Sequence, residues 1–139
     1  MELPALNEDS CPIGTQLRPY QVTYDRDFVQ QFLNKTGESL DDYLEQGQQL
    51  VPPGVFLGAY ARLIHESFHY ETGVHVSSDV QFLKAVPLGT EATVAGEALR
   101  LFERNGDKYI TFSVVISDES GQLLAHVEHT SIYDLKPRR

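Results

Sequence analysis

Five histidines and twenty acidic residues are the side chains with which this chain could move protons or hold a metal. His65, Glu66 and His69 stand at spacings of one, three and four, which on a helix turns them toward one broad face. There a carboxylate can orient an imidazole, or two imidazoles can share a metal. The plainer reading is a solvated polar end on a buried helix, and the sequence favours it. His75, His126 and His129 fall in or beside predicted strands. Alternation puts His126 and Glu128 on one strand face and His129 on the other, so no cluster is expected among them. Cys11 is the single cysteine, which excludes an internal disulfide and suits a reducing compartment. No metal motif, phosphate loop or serine nucleophile elbow is present, and no metal site is expected.

The element that must position any such chemistry runs from Leu50 to Gly73, LVPPGVFLGAYARLIHESFHYETG. Pro52 and Pro53 suit a helix start, where a missing amide hydrogen costs nothing, and Gly73 suits its left-handed end. Phe56, Leu57, Tyr60, Leu63, Ile64 and Phe68 recur at helical spacing and predict the core face. Gly58, Ala59, Arg62, His65, Glu66 and His69 make the opposite stripe. A helix this apolar has to be wrapped. Leu17 to Tyr24 reads as a first strand. Asp25 caps a short helix that Gly37 stops, and SLDDYLEQGQQL reads as a second, weak helix.

Four strands are predicted after the long helix: Val74 to Val86, Thr90 to Asn105, Lys108 to Ser117, and Leu123 to Leu135. Asn105-Gly106-Asp107 is a hairpin signal, and DESGQ is a second turn. In the third strand Ile110, Phe112, Val114 and Ile116 share one face, so one side is packed and the other partly wet. The last three strands form an antiparallel meander with the helix on its packed face.

At 139 residues the chain is one domain, with residues 1–11 expected as a flexible N-terminal segment. A net charge of −9 with no basic cluster beyond the closing KPRR argues against nucleic acid or an anionic membrane as partner. The opening MELPALNEDSCPIG carries acids and no basic, apolar leader, so a cytoplasmic location is the expectation.

The order strand, short helix, long helix, meander resembles the hot-dog fold, an α+β architecture in which a long central helix is wrapped by an antiparallel sheet. Several strings resemble its MaoC-like hydratase and dehydratase branch. Phe82-Leu83-Lys84-Ala85-Val86-Pro87-Leu88-Gly89 is similar to F-x-x-P-V-x-x-G-D, with Ala85 for the usual proline and Thr90 for the aspartate. Val51-Pro52-Pro53-Gly54 is similar to the strings that open the branch's central helix, and Gly121-Gln122-Leu123-Leu124 to its glycine turn. The likeness spans about residues 12–135.

That resemblance implies water addition or removal across the double bond of acyl thioesters on coenzyme A or acyl carrier protein. No cofactor is implied beyond the coenzyme A or phosphopantetheine that belongs to the substrate. An oxyanion site of backbone amides is implied at the start of the central helix, where Gly54 and Val55 stand. A helix start suits this role because its N–H groups are free and carry partial positive charge, although Gly54 also simply fits a tight helix start. The branch's G-D-x-N-P-x-H signature matches Gly37-Glu38-Ser39-Leu40-Asp41-Asp42-Tyr43. Glu38 replaces the aspartate and Tyr43 the histidine, so the usual dyad is not preserved. Glu38, Asp41 and Tyr43 are the catalytic candidates that remain, with capping and solvation the competing role for the acids. The acyl-carrier-protein dehydratases are resembled by PPGVFLGAYARL, but Ala59 stands where their glutamate does and no histidine precedes Ile64.

The resemblance implies an enoyl-thioester hydratase or dehydratase, a lyase, with a substituted site. Two alternatives are a non-catalytic acyl-binding or structural hot-dog subunit and a hot-dog acyl-CoA thioesterase using Glu66. It also implies a homodimer, or a heterodimer with another hot-dog chain.

Overall fold

A computed structural model describes residues 2–69 and 73–137. Strand β1 (Tyr20–Thr23) leads into helix α1 (Arg26–Thr36). The Asp25 side chain accepts from the Phe28 amide at 2.9 Å, and Gly37 closes the helix at φ 75°. Val29 and Leu33, one turn apart, are fully buried. Asp25→Ala removes this cap and is expected to cost about 1 kcal/mol in urea unfolding.

Residues 39–50 do not form the expected helix. A 3₁₀ turn (Leu40–Tyr43) runs into a two-strand ribbon, β2 (Leu44–Glu45) and β3 (Gln48–Gln49). Gln46 and Gly47 both take positive φ, 51° and 77°, the conformation of a tight two-residue hairpin turn. The spacing of Leu40, Tyr43 and Leu44 imitates a helical face, but the turn residues decide.

The central helix is shorter than its apolar run. It spans Pro53–Gly58 as a 3₁₀ helix and then α2 (Ala59–Ser67), with Phe68 extended at φ −141°. The N-terminal segment ends it: the His69 amide donates to the Pro4 carbonyl at 2.7 Å, and the Leu6 amide to the His69 carbonyl at 3.1 Å. Gly73 is therefore not its stop. The packed face is Val55, Phe56, Ala59, Leu63 and Ile64, while Leu57 is 44% exposed. A 3₁₀ helix turns 120° per residue rather than 100°, so six such residues rotate the apolar face by roughly 120°. That rotation moves Ala59 in and Leu57 out.

Strands β4 (Val74–Phe82), β5 (Glu91–Arg104), β6 (Asp107–Asp118) and β7 (Leu123–Asp134) complete a five-stranded sheet, ordered β1-β5-β6-β7-β4 and antiparallel throughout. Asn105 and Gly106 make the β5–β6 turn with φ 54° and 84°. The β6–β7 turn is held by Asp118, whose Oδ1 accepts from the Ser120 and Gln122 amides at 3.0 Å each. Ile110, Phe112, Val114 and Ile116 are fully buried, as alternation predicts. Gly96 of β5 lets the helix approach: a Cβ there would lie 3.2 Å from Leu63 Cδ1 and 3.0 Å from the Ser113 carbonyl oxygen.

The opening residues, expected to be flexible, are packed. Leu6 and Cys11 are buried in the core, and Glu8 receives Lys108 at 3.1 Å and the Tyr133 hydroxyl at 3.2 Å. Burial pushes the Cys11 thiol pKa up, so it is a protonated core residue. Of the closing basic residues, Lys136 donates its amide to Asp107, while Arg138 and Arg139 lie outside the described residues. No described helix is long and apolar enough to cross a membrane.

Candidate functional site

The 3₁₀ turn Pro53–Gly58 separates two concavities. Pro53 and Phe56 face a groove of about 460 Å³ that also takes in Tyr43, Leu44, Phe82 and Lys84. Gly54, Val55 and Leu57 line a larger cavity of about 620 Å³. Phe28 and Phe32 of α1 supply apolar wall to the larger one, and Tyr20, Arg62, His75 and Ser78 supply polar groups.

Of the catalytic candidates only Tyr43 lines the smaller groove, and Glu38 reaches it through a hydrogen bond to that residue. Tyr43 donates its hydroxyl to Glu38 Oε2 at 2.7 Å, and this bond, with smaller contributions from burial and neighbouring acids, pushes the phenol pKa up to about 12. Tyr43 is thus a donor already committed to Glu38 and no base at neutral pH. Asp42 Oδ2 accepts from the Ser39 amide at 2.9 Å, a capping role for this acid. Asp41 is exposed on the same 3₁₀ turn. Glu38, Asp41 and Tyr43 are not among the residues lining the cavity with Gly54.

Of the two amides expected to form the oxyanion site, one is already used: Val55 N–H donates to the Pro52 carbonyl at 3.1 Å, closing the first 3₁₀ turn. The Gly54 N–H has no hydrogen-bond partner among the described residues. Gly54 also carries a packing constraint, because a Cβ there would meet Phe32 Cζ at 2.7 Å. An open amide and a tight fit at the helix start therefore fall on one residue.

The cavity wall holds a group that spacing in the sequence did not bring together. Tyr60, His129 and His75 stack: Tyr60 on His129 at 3.5 Å between ring centroids, and His129 on His75 at 4.7 Å with planes 4° apart. Ser78 Oγ lies 3.0 Å from His75 Nε2 and 3.2 Å from His129 Nδ1. His129 is 1% exposed, and its pKa falls to about 4, first through burial and second through His75. It is neutral at pH 7. A register shift in the β4–β7 pairing makes the arrangement possible: His75 pairs with Ser131, and Ser78 with His129. One extra residue in β4 brings positions 75 and 78, which strict alternation would oppose, to the same face. The available signal was His129 itself, a polar side chain in the inward run Ala125, Val127, His129, Ser131.

Other groups are engaged elsewhere. Glu66 is held by Arg62 Nε at 2.9 Å and does not line the cavity. The Arg62 guanidinium lies 4.3 Å from the Tyr20 ring centroid. Tyr20 donates to the Ala59 carbonyl at 2.9 Å, and burial pushes its pKa up to about 12. Among the described residues no group of three or more His, Cys, Asp and Glu could hold a metal ion.

No family model and no curated protein sequence matches this chain. Solved structures match its fold. A monoamine oxidase regulatory protein from Archaeoglobus fulgius superposes with a TM-score of 0.80 at 13% identity, over 99% of this chain and 99% of that one. An (R)-hydratase from A. caviae involved in PHA biosynthesis gives 0.72 at 15% identity, over 88% and 97%. The HadBC (3R-hydroxyacyl-ACP dehydratase) complex from Mycobacterium tuberculosis gives 0.69 at 16% identity, over 86% and 96%. The chain has the hot-dog fold, and its structural neighbours include hydratases and dehydratases, as the sequence resemblance implied.

Proposed function

We propose that this chain binds acyl thioesters, with the acyl group in the 620 Å³ cavity, and acts on enoyl and 3-hydroxyacyl groups as a hydratase or dehydratase. The observation that carries the proposal is the unpartnered Gly54 amide in a cavity to which Phe28 and Phe32 of α1 give an apolar wall. Such an amide can receive the charge that builds on a thioester oxygen when the neighbouring double bond is attacked. Lys35 and Arg62, two exposed cations on the same cavity, suit the phosphates of coenzyme A or phosphopantetheine. No cofactor beyond that carrier enters the proposal.

The chain is further proposed to pair through β4, as a homodimer or with another hot-dog chain, in a cytoplasmic setting. β4 leaves a nine-residue sheet edge open, with Val74, Val76 and Phe82 each more than 40% exposed. An edge of that length and apolarity invites a second strand. HadBC, a complex, is an assembled neighbour.

Incubating the purified chain with crotonyl-CoA tests the reaction. Loss of the conjugated enoyl absorbance is the expected result. Binding without any such loss would favour the non-catalytic acyl-binding subunit. Release of free coenzyme A thiol would favour the thioesterase, for which the Arg62-bound Glu66 offers no support.

A further inference from the structure

We propose that His75, held by Ser78 and His129 on the cavity wall, is the group that carries the proton when an enoyl thioester is hydrated there. This inference rests on the acyl-thioester reading above and assigns its acid and base. It replaces the Glu38–Tyr43 pair, whose hydrogen bond is closed on itself beside the other groove.

The proton inventory leads to His75. A serine hydroxyl between two ring nitrogens donates to one and accepts from the other, which couples the two imidazoles. His129 is sealed under Tyr60 and stays neutral, so its Nδ1 can accept the Ser78 hydroxyl proton. Ser78 Oγ then accepts from His75 Nε2–H, leaving Nδ1 of His75 with a free lone pair. His75 is exposed and lines the cavity, so its ring can meet both water and an acyl group, which the buried His129 ring cannot. The other ionisable side chains on this wall are Tyr20, Tyr24, Tyr60, Lys35 and Arg62. Tyr20 and Tyr24 are pushed further from ionisation by burial, and Lys35 and Arg62 are cations, so none of these four is a base at neutral pH.

The step balances without a further reactant. His75 Nδ1 takes a proton from water as the water oxygen bonds to the β-carbon. The π pair of the double bond moves toward the carbonyl, and the thioester oxygen receives the negative charge beside the Gly54 N–H. The imidazolium then returns its Nδ1 proton to the α-carbon, the carbonyl reforms, and H and OH have been added. Dehydration is the reverse. His75 is the catalytic residue, and Ser78 and His129 are positioning residues.

The test pairs crotonyl-CoA hydration with calorimetric binding of butyryl-CoA, a saturated thioester that cannot react. His75→Gln is expected to lower kcat by about 100- to 1,000-fold. It should leave the butyryl-CoA Kd within about threefold. Ser78→Ala is expected to shift the acid limb of the kcat profile, and Ser78→Thr to restore it, which a purely structural serine would not do. If the wild-type chain hydrates crotonyl-CoA and His75→Gln does so equally well, the assignment of His75 is overturned while the proposed function stands. If the wild-type chain binds without turnover, or does not bind, the functional reading fails first and His75 loses its role with it.

Discussion

Leu63→Ala is expected to lower the unfolding free energy by about 2–5 kcal/mol, a large share of the roughly 5–15 kcal/mol that holds a domain together. Leu63 is fully buried on α2, where Gly96 of β5 leaves no side chain between helix and sheet. Removing its isobutyl group opens a void that the two backbones, already close, cannot collapse to fill. Leu57→Ala provides the comparison. It stands on the same helical run, is 44% exposed, and should cost less than about 1 kcal/mol. Urea unfolding of both variants reads the difference. Equal losses would mean that the apolar face follows the uninterrupted α-helical spacing, with Leu57 in the core and no 3₁₀ rotation.

Acid is expected to destabilise the chain through His129. Its folded pKa is about 4, while a free histidine titrates near 6.5. Above pH 6.5 neither state holds the extra proton, and the imidazole has no effect on the folding balance. Between pH 6.5 and 4 the unfolded chain binds a proton that the native chain refuses, so stability falls as pH falls, by about 1.4 kcal/mol per unit. The loss should reach about 2 kcal/mol at pH 5 and about 3 kcal/mol near pH 4. His129→Gln abolishes this component. Carboxylates held low by their partners, such as Asp118 and Glu8, add their own acid sensitivity, but they do so equally in wild type and variant. Urea midpoints at pH 7 and pH 5 therefore isolate the histidine. The same slope in both proteins would place His129 in contact with solvent and remove the basis for its neutral, positioning role.

What the sequence made legible were the features with local causes. Asp25 and Gly37 bound α1 because a carboxylate cap and a left-handed glycine act on their own neighbours. Asn105-Gly106 sets the β5–β6 turn by the same kind of local preference, and alternation alone identifies the buried row from Ile110 to Ile116. The rest depended on distant partners. The central helix stops at Ser67 because Pro4 and Leu6 claim the backbone of His69, some 60 residues away in sequence. The histidine stack needs the first and last of the four long strands to lie side by side, and a register shift that no spacing rule contains. Gly54 stands out in the sequence by its place at the helix start, yet only the structure separates its open amide from that of Val55, which Pro52 occupies.

Titrating butyryl-CoA into isotope-labelled protein and following the backbone amide resonances tests most directly whether this cavity is the acyl site. Shifts centred on Gly54, Leu57 and Phe32, extending to His75 and Ser78, are the expected result. Shifts centred instead on Tyr43, Leu44 and Lys84 would move the site to the other groove, and an unchanged spectrum at saturating ligand would contradict acyl-thioester binding altogether.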